Sequence, residues 1–198
     1  MKGHRWIRLP AFALFLVWAC GCASFRVGAL ETVSSWPQDQ SEKTSSVSVV
    51  VSGGILRDGR ERRLRSKILK AWVEPVVQTY RSSGLFSQVK AGLHESDFRA
   101  EVKIIDQKEI DTISTLLTGL TYYLFPSYST DKFSTRTTIK NREGLILEKI
   151  EKTETIKSWH HVFCIVAMPS RFPDSVVKEA LRDLTRVTIV DAHAHGVW

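Results

Sequence analysis

Apolar and polar positions alternate most clearly in two places along the chain. Val47, Val49 and Val51 mark one face of a strand, and Phe98, Ala100, Val102 and Ile104 mark another. Between them, Leu64, Ile68, Trp72, Val76 and Tyr80 recur near helical spacing and predict a helix from Arg60 to about Arg81. Ser83-Gly84 is a suitable stop for it, and Pro75 should kink or split it. Thr130–Lys140 and Leu145–Lys157 are Thr-rich and β-branched, and Asn141-Arg-Glu-Gly144 between them reads as a hairpin turn. Pro173-Asp174 opens a last helix with Val177, Leu181, Leu184 and Val187 on one face. The order β-α-β-β-β-α predicts an α+β fold: a small, mostly antiparallel sheet of about four strands with two helices packed on one face.

The amino terminus has a different pattern. Lys2, Arg5 and Arg8 precede an apolar run from Ala11 to Ala19, too short to span ~30 Å of hydrocarbon, which is the build of a signal peptide. Cys20-Gly-Cys22 follows and resembles the lipobox of bacterial lipoproteins, in which the cysteine is acylated and becomes the new first residue. Gly21 before Cys22 suits that role better than Trp18 near Cys20, so Cys22 is the expected acylation site and Cys20 the alternative. The same resemblance implies three acyl chains. It also implies retention in the outer membrane, facing the periplasm, because no Asp follows either cysteine.

The expected organisation is therefore a signal peptide over residues 1–21 and a lipidated Ser/Thr-rich tether over 22–46. A periplasmic α+β domain over 47–190 and a C-terminal tail over 191–198 complete it. A flexible tether of about 20 residues would reach roughly 25 Å.

Two stretches lack charge. One is the 19 residues between Asp111 and Asp131, and the other runs from Ser158 to Ser170. The first enters the hairpin and the second leaves it, so both belong to one end of the sheet. Leu120, Tyr123, Leu124, Phe125 and Tyr128 should therefore meet Trp159, Phe163 and Met168 in an apolar patch, opposite the hairpin turn. Such a patch on a tethered domain suits a membrane or a protein partner.

Several of these segments together resemble a known group. The lipobox and Val-rich strand are followed by a helix ending Ser83-Gly-Leu-Phe-Ser-Gln-Val89. Leu117-Thr-Gly-Leu-Thr-Tyr-Tyr-Leu-Phe-Pro126 then precedes a Thr-rich hairpin. Over roughly residues 12–190 this resembles small, largely uncharacterised bacterial lipoproteins with a domain similar to the amino-terminal domain of the translocation protein TolB. The resemblance implies an envelope location and a docking or assembly role, and it supplies no catalytic residues. Tyr122-Tyr-Leu-Phe125 is bulkier than the glycine-containing turn of that pattern.

Composition narrows the chemistry. The 198 residues are 43% hydrophobic and 25% charged, enough for a packed core. The formal charge is +7, three units of which are Lys2, Arg5 and Arg8, so cleavage leaves +4 and little case for a nucleic-acid partner. Nucleophile-elbow, zincin and phosphate-loop motifs are absent from the sequence. His160-His161 and His193-x-His195 with Asp191 lack a full ligand set, so no metal or other cofactor is expected. Cys164, between Phe163 and Ile165, reads as an inert thiol. Glu148, Glu151 and Glu154 interleave with lysines and read as a solvated face. Arg60, Arg63, Lys67 and Lys70 fall on one side of the first helix as a basic stripe for anionic lipid or an acidic partner.

The expectation is thus a non-enzymatic, lipid-anchored envelope protein that docks through its apolar end. Its partners would be the membrane, through the acyl chains, and an envelope protein. An envelope enzyme acting on peptidoglycan or lipid, and a subunit of an oligomeric trans-envelope machine, are the rivals.

Overall fold

The computed structural model describes residues 21–28, 30, 33, 36, 45–57, 59–161, 163–164 and 172–198. The signal sequence up to Cys20, most of the expected tether, and Met168 lie outside them. The elements are β1 (Gly21–Arg26), β2 (Ser46–Arg57), β3 (Arg60–Arg63), α1 (Ser66–Ser83), β4 (Gln88–Ala91), β5 (Phe98–Ile110), α2 (Thr112–Leu120), β6 (Ser127–Asn141), β7 (Ile146–His161) and α3 (Pro173–Ala194).

Seven strands form one mixed sheet in the order β1-β7-β6-β5-β2-β3, with β4 also on β2. The β2–β5 and β2–β4 pairs are parallel and the rest antiparallel. This corrects the expected small sheet of about four strands with two helices. The extra strands come from segments whose side chains hide their pairing. Arg60–Arg63 has all four side chains exposed, yet its backbone pairs with Gly54–Arg57. Gln88–Ala91 is only four residues long. The third helix lies in the uncharged stretch after Asp111, whose side chain caps it by accepting from the Ile113 and Ser114 amides.

The helix predicted from Arg60 begins instead at Ser66, after β3, and continues through Pro75 as one element. Gly84 closes it in the left-handed conformation (φ 73°) that glycine adopts without strain. Helices α1 and α3 pack together on one face of the sheet. There Trp72, Val76, Tyr80, Leu181 and Leu184 meet Val47, Val49, Ala100, Val102, Ile104 and Phe133. Each aliphatic side chain buried this way contributes about 1.5–3 kcal/mol.

Both ends of the domain differ from expectation. Gly21, expected to end the signal peptide, and residues 22–26, expected in the tether, form an edge strand paired with β7 from Gly21↔His161 to Arg26↔Ile156. Arg26 reaches Glu154 (2.7 Å) and Asp183 of α3, which ties this edge to the helical layer. The segment after β1 also packs on the domain: Leu30 and Trp36 join the core, and Arg186 stacks 4.9 Å from the Trp36 ring. At the other end, α3 runs to Ala194, and Trp198 sits edge-on to Tyr80, Phe86 and Phe98 rather than in a loose tail.

The glutamate reading needs division. Glu151 lies on the open face with Arg136, whereas Glu154, three residues on, faces the helices and is 1% exposed. An odd spacing in a strand reverses the face.

Candidate functional site

Four strand ends meet at one end of the sheet. There β5 ends, β6 begins, β7 ends and β1 begins, because all three pairs are antiparallel: Ile110↔Ser129, Ser127↔His160 and Cys22↔His160. The Asn141–Gly144 turn lies at the opposite end, closed by the Asn141 amide donating to the Leu145 carbonyl.

Helix α2 projects from this end with its polarity inverted. Its one buried side chain is Thr118, 3% exposed, while Ile113 is 74% exposed and Leu120 68%. Leu116 and Leu117 are exposed as well. The chain then turns through Tyr122 (φ 52°) and Tyr123 (φ 64°), two consecutive left-handed residues without glycine. The Tyr123 amide donating to the Thr118 carbonyl and the Phe125 amide donating to Thr121 Oγ1 hold the turn. Such a conformation costs about 1–2 kcal/mol per residue, and strain of this kind concentrates at functional sites. Two bulky tyrosines thus make this tight turn.

Of the residues expected in the apolar patch, Tyr128 and Trp159 meet directly, and His161 links Leu124 to Phe163. Tyr128 and Trp159 are cross-strand partners with ring centroids 6.0 Å apart. His161 contacts the Leu124 carbonyl through Nε2 at 3.2 Å and lies 5.1 Å from the Phe163 ring. A shallow cavity of about 400 Å3 between these groups is lined by Phe25, Pro126, Trp159 and Phe163. Leu120, Leu124, Phe125 and Phe163 are exposed, Phe163 by 78%, and Tyr123 is half-buried. Met168 lies outside the described residues.

The basic stripe is not one helix face. Arg60 and Arg63 belong to β3 and Lys67 and Lys70 to α1, all exposed.

Behind the apolar end, between the sheet and the first turns of α1 and α3, lies a cleft of about 530 Å3. The helix-facing side of the sheet changes character on approaching it. On β5, Ala100, Val102 and Ile104 give way to Asp106 and Lys108, and on β6 Phe133 gives way to Asp131 and Ser129. On β7, Ile156 gives way to Ser158 and His160, and β1 adds Ser24 and Cys22. Burial, and then the Asp131 charge, push the Asp106 carboxyl up to about 6. Burial lowers the His160 imidazole, with Lys108 acting in the same direction. Burial raises the Cys22 thiol, and neighbouring Cys164 adds to the effect. Ser24 Oγ and Ser158 Oγ hydrogen-bond to each other at 2.6 Å.

No motif in the sequence marks this cleft. Its signal is positional: polar residues on the core-facing positions of four neighbouring strands, visible only once the register is known. Among the described residues, no group of three or more His, Cys, Asp or Glu side chains could hold a metal ion, and no helix is long and apolar enough to cross a membrane.

No family model matches the chain, and no curated protein matches it. Solved structures do resemble it in part. A neuraminyllactose-binding hemagglutinin homologue from Helicobacter pylori gives a TM-score of 0.47 at 9% identity, over 79% of this chain and 87% of that one. A minor lipoprotein from Acinetobacter baumannii gives 0.40 at 9% identity, over 73% and 88%. A dodecameric PelC variant from Paraburkholderia phytofirmans gives 0.32 at 10% identity, over 83% and 97%.

Proposed function

We propose that this is a lipid-anchored, non-enzymatic envelope protein whose apolar end rests in the surface of the membrane that holds its acyl chains. The observation that carries the reading is the inverted helix α2, which stands at the same end of the sheet as the start of β1. Cys20 precedes β1 by one residue and Cys22 is the second residue of the strand, so a lipid on either starts within about 7 Å of this end of the sheet. An anchor that short holds this end of the domain against the bilayer. Ile113, Leu116, Leu120 and Phe163 then have an apolar phase to enter, and Tyr128 and Trp159 have a headgroup boundary.

The mutually bonded Ser24 and Ser158 hydroxyls are poorly activated nucleophiles, which supports a binding role over a catalytic one. The outer membrane is the bilayer proposed, on the residues after the lipobox.

A photo-crosslinking amino acid at Leu120 of the full-length protein in living cells tests the contact. Adducts to phospholipid are expected. A single discrete protein adduct would replace the membrane with a docking partner, and the absence of any adduct would place this end in water and overturn the proposal.

A further inference from the structure

Contact through the apolar helix α2 leaves the arginines around Arg60 without a role. Residues 57–67 hold six cations, Arg57, Arg60, Arg62, Arg63, Arg65 and Lys67, against two acids, Asp58 and Glu61. Their net charge of +4, with Lys2, Arg5 and Arg8, makes up the whole formal charge of +7, so the remainder of the chain is balanced.

The fold concentrates this charge. Arg57 and Arg60 stand directly opposite each other where β2 and β3 close their hairpin, and Arg62, opposite Ile55, shares their face. Like charges opposed across strands are destabilising. All six side chains are exposed, so the core does not require them. None of the six has an ion pair among the described residues, because Glu61 is held by Lys103 at 2.9 Å. Arg57 is near enough to Asp106, on the floor of the cleft, to favour its ionised form, but makes no ion pair with it. Elsewhere exposed arginines are matched: Arg136 by Glu151 and Arg142 by Glu95, both at 2.9 Å. The start of α1 adds to the excess. Its first turn contains no acid, and Arg65 gives it no side-chain cap, so the positive end of that helix is uncompensated. Lys67 and Lys178 are exposed beside it, at the mouth of the cleft.

The hairpin closes at the apolar end. β2 runs parallel to β5 with Leu56 level with Gln107, and β5 leads directly into α2. In the sheet order β5-β2-β3 the basic strand is two spacings, about 10 Å, from the strand that carries α2. We propose that the β2–β3 hairpin and the start of α1 bind the anionic phospholipid headgroups of the bilayer that α2 enters, an inference that rests on the membrane reading above. The guanidinium fork matches a phosphate with two parallel hydrogen bonds. A zwitterionic surface offers phosphates without a net field, so an excess of +4 selects the anionic lipid. Two contacts of different chemistry, side by side, also fix the rotation of the domain about its anchor.

The mature protein, purified from membranes and placed in nanodiscs, tests the site with a photo-crosslinking amino acid at Arg60 and, in a second chain, at Leu120. The discs are phosphatidylcholine alone or phosphatidylcholine with phosphatidylglycerol. Lipid adducts at Arg60 should be about fivefold more abundant in the anionic discs, and high salt should remove the excess. Arg62→Gln with Arg63→Gln and Arg65→Gln should remove it too. Circular dichroism shows whether this variant is folded, and the salt dependence decides if it is not. At Leu120 adducts should be equally abundant in both discs. Adducts at Leu120 with none at Arg60, equal yields at Arg60 in both discs, or an excess that survives salt would overturn the headgroup site and leave membrane contact standing. No lipid adduct at either position would overturn both. A discrete protein adduct at Arg60 in living cells would give the hairpin to an acidic partner and overturn the lipid assignment.

Discussion

Replacing Asp106 by Asn removes one charge from the cleft and almost nothing else. The native carboxyl titrates at about 6, against an ordinary 3.8, chiefly because of burial and then because of Asp131. Its native state therefore holds the proton more tightly than the unfolded chain does, and the stability associated with that proton is present below pH 4 and lost as the pH rises through about 6. At about 1.36 kcal/mol per pH unit the difference amounts to about 3 kcal/mol, and solvent screening of a half-buried carboxyl reduces it to about 1–2 kcal/mol. Asn is neutral throughout. Asp106→Asn should match the wild type near pH 4 and exceed it by about 1–2 kcal/mol at pH 7.5. Lys108 and Arg57 act to hold Asp106 ionised and are already included in the net rise. His160 titrates in the opposite sense, its depressed imidazole costing stability as the pH falls below 6.5, but it does so in both chains and cancels in the comparison. The assay is urea unfolding at both pH values, followed by tryptophan fluorescence, on chains made from Gly21 without the leader. An Asn variant less stable than wild type at pH 7.5, or a difference that does not change with pH, would refute the electrostatic account of the floor. A side chain that weakens the fold at neutral pH suits a site that serves a ligand better than one that serves packing.

Two further outcomes follow from exposure and burial. Leu116→Asp with Leu120→Asp alters two exposed side chains, so unfolding free energy should change by no more than about 0.5 kcal/mol. The same pair should lower flotation of the leaderless chain with vesicles at least tenfold, since each leucine entering hydrocarbon contributes about 1.5–3 kcal/mol; a cooperative loss of structure instead would show that α2 is core. Arg26→Met leaves Glu154 charged and nearly sealed from water, a loss of about 3–5 kcal/mol in urea unfolding. Arg26→Met with Glu154→Gln should recover most of it, and failure to recover would mean that β1 is held by other contacts.

What could be read from the sequence was whatever obeyed a simple period. The alternation Val47-x-Val49-x-Val51, the hairpin about Asn141–Gly144 and the stripe Val177, Leu181, Leu184 each became the element they predict. The failures have physical causes. β1 and β3 are edge strands, where pairing demands only backbone groups, and four basic or acidic side chains at Arg60–Arg63 can point to water without cost. α2 has helical spacing but exposes the apolar side that a soluble helix buries, so periodicity alone gave no direction to its face. The Tyr128–Trp159 contact was legible because topology forces the two ends of a hairpin together. The cleft was not, because Asp106, Ser129, Asp131 and Ser158 come from different strands, and only the register brings them to one place.

The same register bears on which cysteine is acylated. Cys22 shares the helix-facing side of β1 with Ser24 and lines the cleft beside Ser158 and His160. A diacylglyceryl thioether on Cys22 would begin inside that cleft, beneath α1 and α3, and would have to leave it past the lysines at its mouth. Acylation at Cys20 keeps the chains beyond the end of the strand and leaves the cleft open. Cys22 has the more favourable small residue before it, so local sequence and fold point in opposite directions. Because a lipid on Cys22 would fill the cleft, the fold predicts that the mature protein begins at Cys20. Mass spectrometry of the amino-terminal lipopeptide released by trypsin would show acyl mass on a peptide starting Cys-Gly-Cys. A lipopeptide starting Cys-Ala-Ser would place the lipid in the cleft and refute the argument from the register.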